Sequence, residues 1–172
     1  ELKAKLAEAL HTDVLLISGG VSVGDRDFVK ESLQQLGVEQ IFWKIKAKPG
    51  KPLYVGRKGD TLVFGLPGNP ASGYVMFQEF VRPAQRKMMG FRNLERPIVE
   101  AQLSVALKRS PGRQEYQRVR VTWQNGGYLA EPAALQGSHS LGSLAHASGL
   151  MILPAELGEL PAGAMVRVRL LE

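Results

Sequence analysis

Two hydrophobic runs of this chain end in glycine-rich loops, and each loop leads into a helix-forming stretch, a layout that few folds accommodate. The runs are DVLLIS (13–18) and TLVFG (61–65), and the loops they feed are SGGVSVGDRD (18–27) and GLPGNP (65–70). A third loop, KPGKP (48–52), lies between them. Strand, tight loop and helix start in succession aim backbone N–H groups at an anion. Lys48 and Lys51 add positive charge in the middle loop. The combination points to a site for a phosphorylated or oxyanionic small molecule.

The first ninety residues alternate helix and strand. Leu2, Leu6 and Leu10 recur at the spacing of an amphipathic helix. DVLLIS is continuously apolar, as in a parallel strand buried on both faces. A second helix is predicted over 27–36, with Phe28, Val29, Leu33 and Leu36 on one face and Gly37 as its stop. IFWKIKA (41–47) alternates with period two, so Lys44, Lys46 and Lys48 are expected in phase on one face. PLYVGR (52–57) and TLVFG (61–65) read as a hairpin turning over RKGD. A third helix should open at Asn69-Pro70, with asparagine as N-cap and proline in the first turn. It is expected to run towards Met89, kinked or restarted at Pro83, and to be mostly buried.

After FRNLERP (91–97) the pattern becomes all strand. Segments 98–107, 115–123, 128–133, 149–155 and 164–172 read as five short strands, with Asn125-Gly126 a hairpin turn and no helix. The domain boundary falls near 92/93. The first domain has few strands and opens on a helix, whereas a parallel sheet normally supplies a strand before that helix. An N-terminally incomplete domain, part of a longer protein, is the expectation.

Composition narrows the function classes. The chain has 172 residues with a formal charge of +6, made of 22 Lys+Arg against 16 Asp+Glu. Residues 1–90 hold 13 basic and 9 acidic side chains, so most of the excess lies on the loop-bearing half. There is no uninterrupted basic run, aromatic RNA-binding signature or zinc-finger spacing, which argues against nucleic acid as partner. No apolar stretch is long enough to span a bilayer, so no membrane partner is expected. Cysteine is absent, which excludes disulfides, thiolate chemistry and cysteine-ligated zinc. A cytoplasmic location fits.

The loops carry the candidate chemistry. Gly19, Gly20 and Gly24 allow close backbone approach, and Ser18 and Ser22 can donate hydroxyls to a phosphate or a pterin-like ring. A tight βα turn with serines capping nearby amides accounts for the same residues. The glycine spacing is neither the dinucleotide fingerprint nor a Walker motif, since Pro52 follows Lys51. Asp25 and Asp27 would repel an anion unless one caps a helix and the other holds a hard cation. Asp25 is read as the cap and Asp27 as the functional acid. Asn69 can cap its helix or touch ligand.

Taken in order, SGGVSVGDRDF, FWKIKAKPGKPLYVG, FGLPGNPAS, GRQEYQRV and LQGSHSLGSLAHASGL resemble the MoeA family of molybdopterin molybdenumtransferases, related to the C-terminal region of gephyrin. The resemblance implies an α/β plus all-β chain: a partial three-layer α/β molybdopterin-binding domain (1–92) followed by a small β-barrel (93–172). It implies insertion of molybdate into adenylylated molybdopterin with release of AMP, aided by Mg²⁺. Carried over by position, Asp27 is the essential acid, with a metal- or phosphate-orienting role. Lys44 and Lys48 are catalytic, and Lys51 binds the ligand's anionic groups. Ser18, Gly19, Gly20, Ser22 and Gly24 form one cradle, and Pro67, Gly68, Asn69 and Pro70 a second. The family also implies a homodimer in the full-length protein and contacts with other proteins of molybdenum cofactor biosynthesis. Two alternatives stand beside it. One is a non-catalytic molybdopterin-binding or scaffold fragment; the other is an adenylyltransferase, against which the barrel argues.

Overall fold

Strands β1 (Val14–Ser18) and β5 (Thr61–Leu66) lie side by side and parallel, with Val14 opposite Leu62 and Ser18 opposite Leu66. Both glycine loops therefore leave the same end of one sheet. The structure, a computed structural model, describes residues 1–21, 28–134, 136–137 and 141–171, without the side chain of Leu141. The chain divides into two compact units, Glu1–Ile45 with Gly50–Arg92 and Lys46–Pro49 with Asn93–Glu172.

In the first unit the sheet order is β1-β5-β4-β2, where β2 is Glu39–Trp43 and β4 is Tyr54–Lys58. β4 pairs antiparallel with both neighbours, and the expected β4–β5 hairpin is present. Helices α1 (Leu2–Ala9) and α2 (Phe28–Gln35), with Leu10 just past α1, bury Leu6, Leu10, Val29 and Leu33 against Leu15, Tyr54 and Val63. Both faces of β5 are buried, because Val63 joins that cluster while its neighbour Phe64 points the other way. Fully burying a side chain of this size contributes about 1.5–3 kcal/mol, which fixes the sheet as the platform for the loops.

The third helix restarts at Pro83 as expected, but through a π-helical turn. It is α3 (Pro70–Met76), a π-helical turn (Phe77–Val81) and α4 (Arg82–Met88). The Arg82 N–H reaches back to the Phe77 carbonyl, and Pro83 follows with no N–H to give. Burial stops there too. Val75, Met76 and Val81 are inaccessible, whereas α4 buries nothing and Met88 and Met89 stand exposed.

The alternating run 41–47 is not one strand. β2 ends at Trp43, Lys44 takes a left-handed φ of 68°, and only Ala47–Lys48 (β3) resumes strand geometry. The Lys44 and Ile45 N–H groups turn to the carbonyls of Leu53 and Lys51. The predicted phase relation of Lys44, Lys46 and Lys48 is broken at that left-handed residue.

In the second unit, five strands close on themselves in the order β7-β8-β6-β10-β9, with β9 pairing back onto β7. They are β6 (Ile98–Leu103), β7 (Gln114–Gln124), β8 (Gly127–Pro132), β9 (Gly149–Leu153) and β10 (Met165–Leu170). β3 adds to β7 in parallel, so residues 46–49 belong to this unit and not to the first. Asn125 and Gly126 both have positive φ, as a type I′ hairpin turn requires. Ala101, Leu103, Val119, Ala130, Met151, Leu153, Val166 and Val168 fill the barrel. The strand predicted over 98–107 stops at Leu103, and Leu107 makes only an isolated bridge to Leu160. A five-residue helix, α5 (Leu141–Ala145), stands where no helix was predicted. It is too short for a 3.6-residue period to register in the sequence.

Candidate functional site

In the first unit the two glycine loops meet directly beyond the strand ends. The Gly19 N–H donates to the Leu66 carbonyl at 2.9 Å, carrying the β1–β5 pairing one residue past Ser18. A Cβ on Gly68 would come within 3.2 Å of the Gly19 Cα, so the backbones approach with no side chain between them. Gly19 and Gly20 both have left-handed φ, 84° and 68°. Outside the carboxyl ends of parallel strands is where open α/β sheets place ligands. Ser18, Gly20, Gly68 and Pro70 are exposed there, Gly19 and Asn69 half-buried and Pro67 buried. Ser22, Gly24, Asp25 and Asp27 lie outside the described residues.

Asn69 occupies the N-cap position, with extended dihedrals and its carbonyl accepting from the Gly73 N–H at 2.9 Å. Its side chain makes no capping hydrogen bond, contrary to the capping role read from sequence. That leaves the helix start held by backbone geometry and by Pro70.

The middle loop is pinned next to Lys51. Gly50 is buried with φ 110°, and a Cβ there would lie 2.4 Å from the Met76 Sδ. Only glycine fits. Just upstream, Trp43 donates its indole N–H to the Val21 carbonyl at 3.1 Å, tying β2 to the first glycine loop. The ammonium groups of Lys30 and Lys44 each lie 3.9 Å from the Trp43 ring centroid. Sequence reasoning missed Lys30 and Trp43, because neither sits in a loop and their meeting depends on tertiary pairing.

Lys48 belongs to the second unit, so the basic group read from sequence is divided between the units. Its ammonium lies 3.5 Å from Glu115 Oε1. Glu115 is buried, with the Arg109 Nε at 3.8 Å and the Gln117 amide donating to its other oxygen at 3.0 Å. Arg109 is itself fixed by donating to the carbonyls of Pro154, Leu157 and Arg113. Lys48, Arg109, Glu115 and Gln117 line a groove of about 540 Å³ to which Lys108 and Arg113 add further positive charge. Four cations facing one carboxylate give it anion-binding character.

On the opposite face of β7, Arg118 is fully buried. The Gln136 side chain bonds its backbone on both sides, accepting from the N–H at 3.0 Å and donating to the carbonyl at 2.8 Å. The guanidinium donates to the Gly137 carbonyl, and burial pushes its pKa down from the ordinary value. Glu115, Gln117 and Arg118 went unassigned from sequence, although five consecutive buried positions in so polar a strand are unusual. Ser138 and His139 lie outside the described residues. Among the described residues no group of three His, Asp or Glu converges as a metal site, and no helix is long and apolar enough to cross a membrane.

Comparison with known proteins covers nearly the whole chain. The family described as "Probable molybdopterin binding domain" matches residues 1–87, and that described as "MoeA C-terminal region (domain IV)" matches residues 100–171. The chain is 34% identical to the molybdopterin molybdenumtransferase of Haemophilus influenzae, over 96% of this chain and 41% of the relative. It is 36% identical to gephyrin of Dictyostelium discoideum, over 93% of this chain and 26% of that protein. The molybdopterin biosynthesis MoeA protein of Pyrococcus horikoshii superposes with a TM-score of 0.80 at 30% identity, covering 99% of this chain and 40% of that one. The chain thus spans well under half the length of these relatives.

Proposed function

Because this chain belongs to the MoeA family, carrying both its molybdopterin-binding domain and its C-terminal barrel region, we propose that it serves the metal-insertion step of molybdenum cofactor biosynthesis. In this reading the longer protein loads molybdate onto adenylylated molybdopterin and AMP leaves. The observation that carries it is the junction of two glycine loops at the ends of adjacent parallel strands, where Gly19 and Gly68 meet backbone to backbone. Such a junction presents amides, not side chains, to a phosphorylated ligand.

Ser18, Gly19, Gly20, Ser22 and Gly24 form one wall of the cradle in this proposal, and Pro67, Gly68, Asn69 and Pro70 the other. Lys44 and Lys51 neutralise the oxyanions in the first unit; a compact ammonium suits a tetrahedral anion, for which bidentate geometry is unnecessary. Asp27 orients the phosphate or holds Mg²⁺ against it. In this proposal Mg²⁺ is held by Asp27 together with the ligand's own oxygens. The same reading places the protein in the cytoplasm, as a homodimer when full-length, among other proteins of the pathway.

Binding of adenylylated molybdopterin, followed by pterin fluorescence, tests the cradle. The chain should bind it, and Gly68→Val, which drives a side chain into the Gly19 backbone, should weaken binding at least tenfold with the circular dichroism unchanged. Equal binding by both proteins would place the ligand elsewhere.

A further inference from the structure

We infer that Trp43 is a positioning residue for the oxyanion site and that Lys30 is a second ammonium of that site. The inference rests on the reading of Lys44 as an oxyanion contact. The indole makes three connections at once. Its N–H holds the Val21 carbonyl, on the N-terminal side of residues 22–27. The Lys30 ammonium, from the first turn of α2 on the C-terminal side of those residues, lies 3.9 Å from the ring centroid. The Lys44 ammonium lies at the same distance from the same centroid.

Two like charges on one ring need a reason. Each is attracted by the ring quadrupole, but each also repels the other. Among the described residues neither lysine forms an ion pair. Lys44 reaches the ring from a left-handed backbone, at the point where β2 breaks off. The ring thus orders two flexible ammonium groups before any ligand arrives. The ligand that relieves their repulsion is a dianionic oxyanion, molybdate or a phosphoryl group. Pre-ordering matters because a free lysine loses rotamer entropy when it is fixed on a ligand.

The test is molybdate-dependent AMP release from adenylylated molybdopterin, measured as a function of molybdate concentration. At about two- to fivefold per ammonium, Trp43→Leu should raise the half-saturating molybdate concentration about four- to twenty-fivefold, with the rate at saturation little changed. Trp43→Phe keeps a ring face and should recover most of that loss. In a Lys30→Met/Lys44→Met background, Trp43→Leu should add less than twofold. An unchanged half-saturation in Trp43→Leu, or a full additional loss in the lysine-free background, would overturn the inference.

Should Trp43→Leu fail to fold, Lys30→Met alone carries the test, with an expected two- to fivefold rise and no change as the refuting result. If the wild-type chain releases no AMP, the catalytic reading fails by itself and the clamp is read separately. In a Trp123→Phe background Trp43 is the sole tryptophan, since the chain has two. A change of its emission on adding sodium molybdate, lost in Lys44→Met, sustains the clamp. No change refutes it.

Discussion

Replacing Gly50 by alanine puts the seating of the middle loop to a quantitative test. The added Cβ would lie 2.4, 2.6 and 2.7 Å from the Sδ, Cε and Cγ of Met76. Met76 is fully buried and has no solvent to move into. Forcing atoms into a packed core costs about 1–3 kcal/mol. The backbone adds its own cost, because φ of 110° is foreign to an L-residue and a left-handed conformation is worth roughly 1–2 kcal/mol against it. Gly50→Ala should therefore destabilise the first unit by about 2–5 kcal/mol. With a urea m-value of about 2 kcal/mol/M, the midpoint falls by roughly 1–2.5 M. Trp43 emission in a Trp123→Phe background follows the first unit selectively, because Trp43 packs against its core. In a Met76→Ala background the overlap is relieved, and Gly50→Ala should cost only the backbone part, about 1–2 kcal/mol. An equal cost in both backgrounds, or one below about 0.5 kcal/mol in the first, would refute this account of the loop, since surface changes away from such features stay in that range.

Three further outcomes follow from the geometry. Glu115→Gln removes the carboxylate that faces Lys48 and the buried Arg109, and should lower the thermal stability of the barrel by about 1–3 kcal/mol, read by calorimetry. Burial raises the Tyr54 pKa above 10.0, so the phenol's contribution is fully present below that unfolded value and is lost as pH rises through the higher folded one. Tyr54→Phe should match wild type in urea melts at pH 7 and lose part of the wild-type decline in alkaline solution. Asn125→Val places a β-branched residue at φ 52° in the β7–β8 turn and should cost about 1–2 kcal/mol by urea melt, with no effect on Trp43 emission in the native state.

The elements with long, regular signals were legible. β1 and β5 followed from continuous apolar runs, the five strands of the second unit from their spacing and turn residues, and the start of α3 from Asn69-Pro70. What stayed hidden depends on contacts distant in sequence. Lys44 breaks an apparently perfect alternation because its N–H finds the Leu53 carbonyl, nine residues on. Lys48 was grouped with Lys44 and Lys51, yet pairs with Glu115 of a strand sixty-seven residues away. Arg118 went unassigned, because its burial depends on the Gln136 side chain, which covers its backbone from eighteen residues away. The glycine loops themselves were readable as tight turns after β1 and β5. That Gly19 and Gly68 abut required the parallel register of β1 and β5.

The central claim is metal insertion, and the most direct measurement is AMP release from adenylylated molybdopterin with Mg²⁺, with and without molybdate, by this chain and by Asp27→Ala. The account predicts release that requires molybdate and is lost in the variant. Release that ignores molybdate, or survives unchanged in Asp27→Ala, would contradict it.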